Sequence, residues 1–292
     1  MEHSATNMNR RRFLRNATIA ALGLTAAGNA TLASAAPGSG RGPTGRRPVP
    51  RGNISIQLYS LRGIIPNGNA AGVAAVMETL FDIGYRKVEP YSNHGLGWEG
   101  FRSVLDDAGL TATSLHNGGR NPQAVVEAAL AMGSTYTNFP FASYGTLDEW
   151  RALAVDVLNP VAAAMTDAGV KYGYHNHATE FQVEEDGVQA YDVLLEEFTG
   201  HMQADLYWVV TGGADPVEVF SRDPGRFLQF HVKDRDESGF FADPGEGTID
   251  FPRIFAARQE SGVIEYIAEN DQPADQIEFA ETAFEYLRNV RF

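Results

Sequence analysis

The stretch that decides the fold is GYHNHATEF, Gly173–Phe181. It follows directly on the alternating run VKYGY, which reads as a strand, and it places two histidines, an asparagine and a glutamate between positions 175 and 180. Polar residues at a strand exit are either turn punctuation or a site held at the edge of a rigid sheet. The pattern around the motif decides between the two.

Upstream and downstream, short β-rich runs alternate with amphipathic stretches. Strands read at 54–59, 86–90, 111–116, 135–139, 171–175, 202–206, 227–232 and 265–269. Between them lie helical patterns such as AAGVAAVMETLFDIG, WEGFRSVLDDAG, PQAVVEAALAMG, TLDEWRALAVDVLNPVAAAMTDAG and QIEFAETAFEYLRNV, several stopped by a glycine at the C′ position (Gly84, Gly109, Gly133, Gly169). Eight strand-then-helix units predict an α/β fold of the (β/α)8 TIM-barrel type, a single domain over 53–292. A doubly wound open sheet shares the alternation, but its Gly-rich phosphate turn is missing after the first strand, where LYSLRG stands instead.

In a barrel the carboxyl ends of the strands form the active face. Glu89, His116-Asn117, His175-Asn176-His177 with Glu180, Asp205, His231 with Lys233-Asp234, and Glu269-Asn270-Asp271 all fall at such ends. Taken singly, each acidic residue reads as a helix N-cap and each histidine as a hydrogen-bonded core residue. Strand ends converge on one axis, however, and the coincidence repeats around the barrel. The chain has no cysteine, so disulfides, thiolate metal sites and cysteine nucleophiles are excluded, and any metal uses His, Asp, Glu or Asn. Glu180, Asp205, His231 and Glu269, one from each exit of strands five to eight, suit one divalent ion of the Mn, Co, Mg or Zn kind. Such an ion polarises a carbonyl, and proton transfer at carbon then needs a positioned base.

The runs YHNHATEF, ADLYWVVTGGADP, RFLQFHVKD, GEGTIDFPRIF and EYIAEND together resemble the xylose isomerase-like TIM-barrel family, the sugar phosphate isomerases/epimerases, from about Ile54 to the C-terminus. The resemblance implies a metal held by Glu180, Asp205, His231 and Glu269, with His175 and His177 as competing ligands. It implies Glu180 or Glu269 as proton carrier, with His177, His175 and Lys233 as acid, base or hydroxyl contacts. Glu89, His116 and Trp208 are implied to line the substrate pocket. The expected activity is isomerisation or epimerisation of a keto-sugar through an enediolate. A lyase that expels water or an aglycone from an inosose or a 3-keto-glycoside is the alternative, and a non-catalytic sugar-binding barrel a more distant one. Without a Gly-rich phosphate loop, an unphosphorylated carbohydrate is the expected substrate. GEGTID reads as a loop shaping the site, with Gly245 and Gly247 relieving backbone strain.

The formal charge of −14 argues against a nucleic-acid partner, and with it against an abasic-site endonuclease, which needs a clustered basic face. The N-terminus is of another kind. NRRRFLR followed by a short, Ala-rich, uncharged run and small residues at Ala33 and Ala35 reads as a twin-arginine signal peptide over 1–35, hence export to the periplasm or beyond. The run is too short and weakly apolar for a stable membrane span. Cleavage deletes four Arg and one Glu, taking the charge from −14 to −17. Residues 36–52, rich in Pro, Gly and Arg, read as a linker. A homo-oligomer is compatible with the family resemblance, but no interface is legible.

Overall fold

The computed structural model describes residues 46–292. The expected signal peptide, 1–35, and the linker as far as residue 45 lie outside the described residues. Linker character ends earlier than residue 52: Val49 is buried in the core, and Arg47 and Phe292 exchange backbone hydrogen bonds in both directions. One apolar residue amid the Pro/Arg run is enough to pin it to the barrel.

Eight parallel strands form one sheet: β1 (Ile54–Gln57), β2 (Val88–Glu89), β3 (Ser114–Leu115), β4 (Tyr136–Phe139), β5 (Lys171–His175), β6 (His201–Asp205), β7 (Phe227–Val232) and β8 (Glu265–Ala268). β1 lies between β2 and β8, and β7, β6, β5, β4 and β3 follow in turn. Between β2 and β3 the seam is drawn together by a parallel bridge from Lys87 to Thr111 and by His116 N–H donating to Pro90 O at 2.8 Å. This is the (β/α)8 barrel.

Parallel strands covered on both faces are buried throughout, so their polar residues point somewhere specific. On β5, Tyr172 and Tyr174 pack in the hydrophobic core, whereas Gly173 and His175 turn into the barrel. A Cβ on Gly173 would meet Asn138 Oδ1 at 2.2 Å and His201 Nε2 at 2.4 Å, so only glycine fits that inner position. Register sets inward neighbours side by side: His175 opposes Gln203, and Asp205 opposes His231.

Local chemistry explains the helices. Asn69, Asn121 and Asp275 cap Ala70–Ile83, Pro122–Met132 and Gln276–Asn289 through side-chain oxygens, and Thr146 with Glu149 forms a capping box. Gly133 closes its helix at φ 67°, in the left-handed region. The stretch expected as one long helix over 146–169 is helical from Leu147 to Asp167, but Leu153–Leu158 widens to π geometry and Asn159 N–H reaches back to Ala154 O. Pro160 has no N–H to offer, and the wide turn just before it absorbs the lost bond. Short helices at Thr179–Gln182, Leu206–Thr211 and Pro216–Arg222 had no clear periodic signal, being under two turns long. Among the described residues no helix is long and apolar enough to cross a membrane.

Candidate active site

At the carboxyl end of the barrel lies a cavity of about 510 Å³. His116, His175, His177, Lys233 and Glu269 line it, with Asp271 beside them, while Tyr59, Tyr91, Phe141 and Phe241 form an apolar wall. Phe141 is half exposed and meets the His177 ring edge-on at 4.7 Å. The rings of His116, His175 and His231 pack within 4.5–5.2 Å of one another.

Asp205 shows how one residue meets both readings of a strand-end carboxylate. Its Oδ1 caps the helix Leu206–Thr211 by accepting from Trp208 N–H at 3.1 Å. Its Oδ2 is buried with no well-directed hydrogen bond, although Lys233 Nζ lies 2.8 Å away. His175 Nε2 is 3.7 Å from the same oxygen, and one donor atom each from His175, Asp205 and His231 lie within 4.8 Å of one another. Glu269 Oε2 joins them, 2.6 Å from His231 Nδ1 and 2.9 Å from Lys233 Nζ. Two imidazoles and two carboxylates, buried and without thiolate, fit a divalent ion of the Zn, Mn or Co kind. The ammonium of Lys233, in contact with Asp205, Glu269 and Asp271, offsets the negative charge of the cluster.

Glu180 is not brought into this cluster. It is fully buried, and its Oε1 accepts from Tyr174 Oη at 2.7 Å and from His177 N–H at 2.9 Å, which pins the turn that presents His177. Strand parity explains the difference: His175 is the last strand residue and faces inward, whereas Glu180 sits in a short helix beyond the turn. His175 therefore stands where Glu180 was expected. Glu89 does not line the cavity either. It lies fully buried beneath the site, bonded to His231 Nε2 at 2.7 Å. Trp208 stands behind His177, ring centroids 5.1 Å apart, with Lys233 Nζ 5.5 Å from its ring. Gln57 and Gln203, which sequence reasoning missed, bond the site histidines from below. Their signal was parity, since both face inward on their strands.

The electrostatics separate the histidines. Burial, reinforced by Lys233, pushes His177 down to about 3, and burial takes His116 to about 4, so both are neutral imidazoles near neutrality. Burial would lower His231 too, but Glu269 and Glu89 on either side raise it to about 10. For Glu269, burial opposes ionisation and is outweighed by Lys233 and His231, which hold its carboxyl well below the usual range. Glu180, by contrast, is raised by burial to about 7. Asp234, next to Lys233, shapes the GEGTID loop. Its Oδ2 accepts Gly245 and Gly247 N–H and its Oδ1 accepts Arg235 and Ile249 N–H, with Gly245 at φ 92°. A Cβ on Gly247 would strike Asp234 Oδ1 at 2.3 Å.

No family model matches the chain. An inosose dehydratase of Clostridium beijerinckii is 24% identical over 222 residues, covering 68% of this chain and 72% of that protein. Another, of Geobacillus kaustophilus, is 32% identical over 164 residues, 49% of this chain and 53% of that protein. Among solved structures, a sugar phosphate isomerase/epimerase from Parabacteroides distasonis superposes with a TM-score of 0.70 at 24% identity, covering 81% of this chain and 98% of that one. The IOLI protein with a bound zinc atom superposes with a TM-score of 0.59 at 16% identity, covering 80% and 95%. The fold is the TIM barrel of these solved structures.

Proposed function

We propose that the protein is a divalent-metal-dependent enzyme that removes the proton next to the carbonyl of a keto-sugar or cyclic polyol ketone, and that elimination of the β-hydroxyl as water follows. His175, Asp205, His231 and Glu269 would hold the ion. Bound there, a divalent ion supplies Lewis-acid polarisation of a carbonyl. The residues of the chain do the rest. Glu269 is ionised, and its Oε1 carries no hydrogen bond among the described residues while the side chain lines the cavity, which makes that oxygen the proton acceptor. Lys233 Nζ, on the same side of the cavity, is placed to hold and protonate a departing hydroxyl, its bond to Asp271 at 3.1 Å being the longest of its three. The aromatic wall excludes water and offers ring faces to the C–H surface of a sugar.

The observation that carries the reading is this pairing of a free carboxylate oxygen with an ammonium group on one side of the cavity. The inosose dehydratases named above support elimination as its outcome. Isomerisation or epimerisation, the reading the sequence favoured, is supported by His177, which the turn after β5 presents to the cavity with Nδ1 unpartnered, so that it can return a proton from another side. NMR of the reaction in deuterated water, with an inosose and unphosphorylated ketohexoses as probes, tests the two. Loss of one water per turnover supports elimination, and solvent deuterium at carbon without mass loss supports isomerisation. No deuterium in any probe and unchanged affinity in Glu269→Gln would mean a binding barrel. Export through the twin-arginine route is part of the proposal, and fractionation of cells carrying Arg10→Lys/Arg11→Lys tests it, with retention in the cytoplasm expected.

A further inference from the structure

We propose that Glu89 is a positioning residue that fixes three imidazoles of the site at once, through the direction of its hydrogen bonds. Its carboxylate has four donors. Oε1 accepts Gln57 Nε2 at 2.7 Å and His231 Nε2 at 2.7 Å; Oε2 accepts Gln203 Nε2 at 2.8 Å and the hydroxyl of Ser114. Ser114 Oγ itself accepts from Asn138 Nδ2 at 3.1 Å, which leaves its proton for Glu89. With four lone-pair positions filled, the carboxylate has no capacity left for substrate or metal. That excludes the second set of donor atoms that approach one another here, Glu89, His116 and His231, as a metal site.

An acceptor-only carboxylate dictates the orientation of every amide that touches it. Gln203 must present its N–H to Glu89, so its Oε1 faces His175 Nδ1, 3.0 Å away, and His175 carries its proton on Nδ1. The lone pair of His175 is then on Nε2, the nitrogen nearest Asp205 Oδ2. Gln57 also presents its N–H, with its Oε1 already taken by Tyr59 N–H at 3.0 Å, so its second proton meets His116 Nδ1 at 3.0 Å. His116 is therefore an Nε2–H donor, and that nitrogen is buried without an internal partner. His231 gives its Nε2–H to Glu89 directly, which leaves Nδ1 on the side of Glu269; in the metal-free protein that nitrogen carries a second proton, bonded to Glu269 Oε2 at 2.6 Å, which a bound ion would replace. One carboxylate beneath the site thus aims two nitrogens at the proposed ion and one N–H elsewhere, as outer-shell carboxylates do for metal-bound histidines. The significance for the ion rests on the proposed function; the proton pattern does not.

The test is ¹⁵N-histidine NMR of the chelator-treated protein, followed by zinc titration. In the wild type, His175 is expected as the Nδ1–H tautomer and His116 as Nε2–H. In Glu89→Gln, the new amide confronts Gln203 with a donor, Gln203 turns over, and the His175 proton moves to Nε2. Zinc affinity then falls about 10–100-fold. Gln203→Leu should weaken zinc binding while leaving the His116 tautomer as it was, which a general loosening of the barrel would not do. Wild-type His175 protonated on Nε2 would overturn the proposal even if Glu89→Gln fails to fold. So would a folded Glu89→Gln with unchanged tautomers and zinc affinity. A wild type that takes up no zinc sinks the metal reading alone, because the tautomers are still read.

Discussion

A buried glutamate opens strand β8 and another follows its last residue, and the two differ in almost everything that matters. Glu265 enters the barrel at its amino end, where Thr113 Oγ1 and Gln229 Nε2 bond its two oxygens and burial raises its pKa, Lys87 offsetting only part of that. Glu269 follows the strand at the other end, where burial acts in the same direction but Lys233 and His231 overcome it. Four residues along one strand separate a carboxyl that favours its proton from a carboxylate held ionised against a cavity. Burial alone does not hold a carboxylate ionised; the cations that β7 and the residue after it supply at the carboxyl end, His231 and Lys233, do.

The strongest test of this contrast is a pair of isosteric changes. Glu269→Gln is expected to lower kcat about 1,000-fold, within the range for losing a general base, while Glu265→Gln stays within about threefold of wild type. Steady-state kinetics on the substrate found by the deuterium experiment checks it, and comparable losses in both variants would erase the distinction. Lys233→Met should come next. It leaves Asp205, Glu269 and Asp271 facing one another, and thermal or urea unfolding of metal-free protein is expected to show a loss of about 3–5 kcal/mol, as for a broken buried ion pair. Added zinc should restore part of it.

Stability against pH sharpens the comparison further. Glu269, with a lowered pKa, contributes stability that is present above the unfolded value and lost as pH falls through its folded one. Glu265 has the opposite sign: its contribution is present at low pH and lost as pH rises through its raised pKa. Urea unfolding across pH should show Glu269→Gln flattening the acid limb and Glu265→Gln the rising-pH limb. The same logic gives the smallest effect at Glu180, whose carboxyl is raised to about 7, so that it loses stability as pH rises from about 4.5 to 7. Glu180→Gln should remove on the order of 1–3 kcal/mol of that slope and leave activity within about tenfold. An unchanged slope would mean that the residue is ionised throughout.

The eight strands were legible because alternation between β-rich runs and helical periods survives in a single sequence. The strand-end polar residues were legible because a barrel gathers them. What the structure places differently is instructive. Glu180 lies outside the cluster, and parity along β5 brings His175 into it instead, in line with the inward positions Gln203 and Asp205 on β6 and His231 on β7. Glu89 was found but given to the pocket, since no sequence shows that four donors already fill its lone pairs. Gln57 and Gln203 went unnoticed because a lone glutamine in a strand announces nothing until its amide is seen to carry direction from a carboxylate to a histidine.

The central claim is that a divalent ion is held by His175, Asp205, His231 and Glu269, and elemental analysis of purified protein reconstituted with zinc or manganese tests it most directly. About one equivalent is expected in the wild type and in Glu180→Gln, and little in His175→Ala or His231→Ala. A wild type that cannot be loaded, or loss of metal in Glu180→Gln with retention in His175→Ala, would contradict the account.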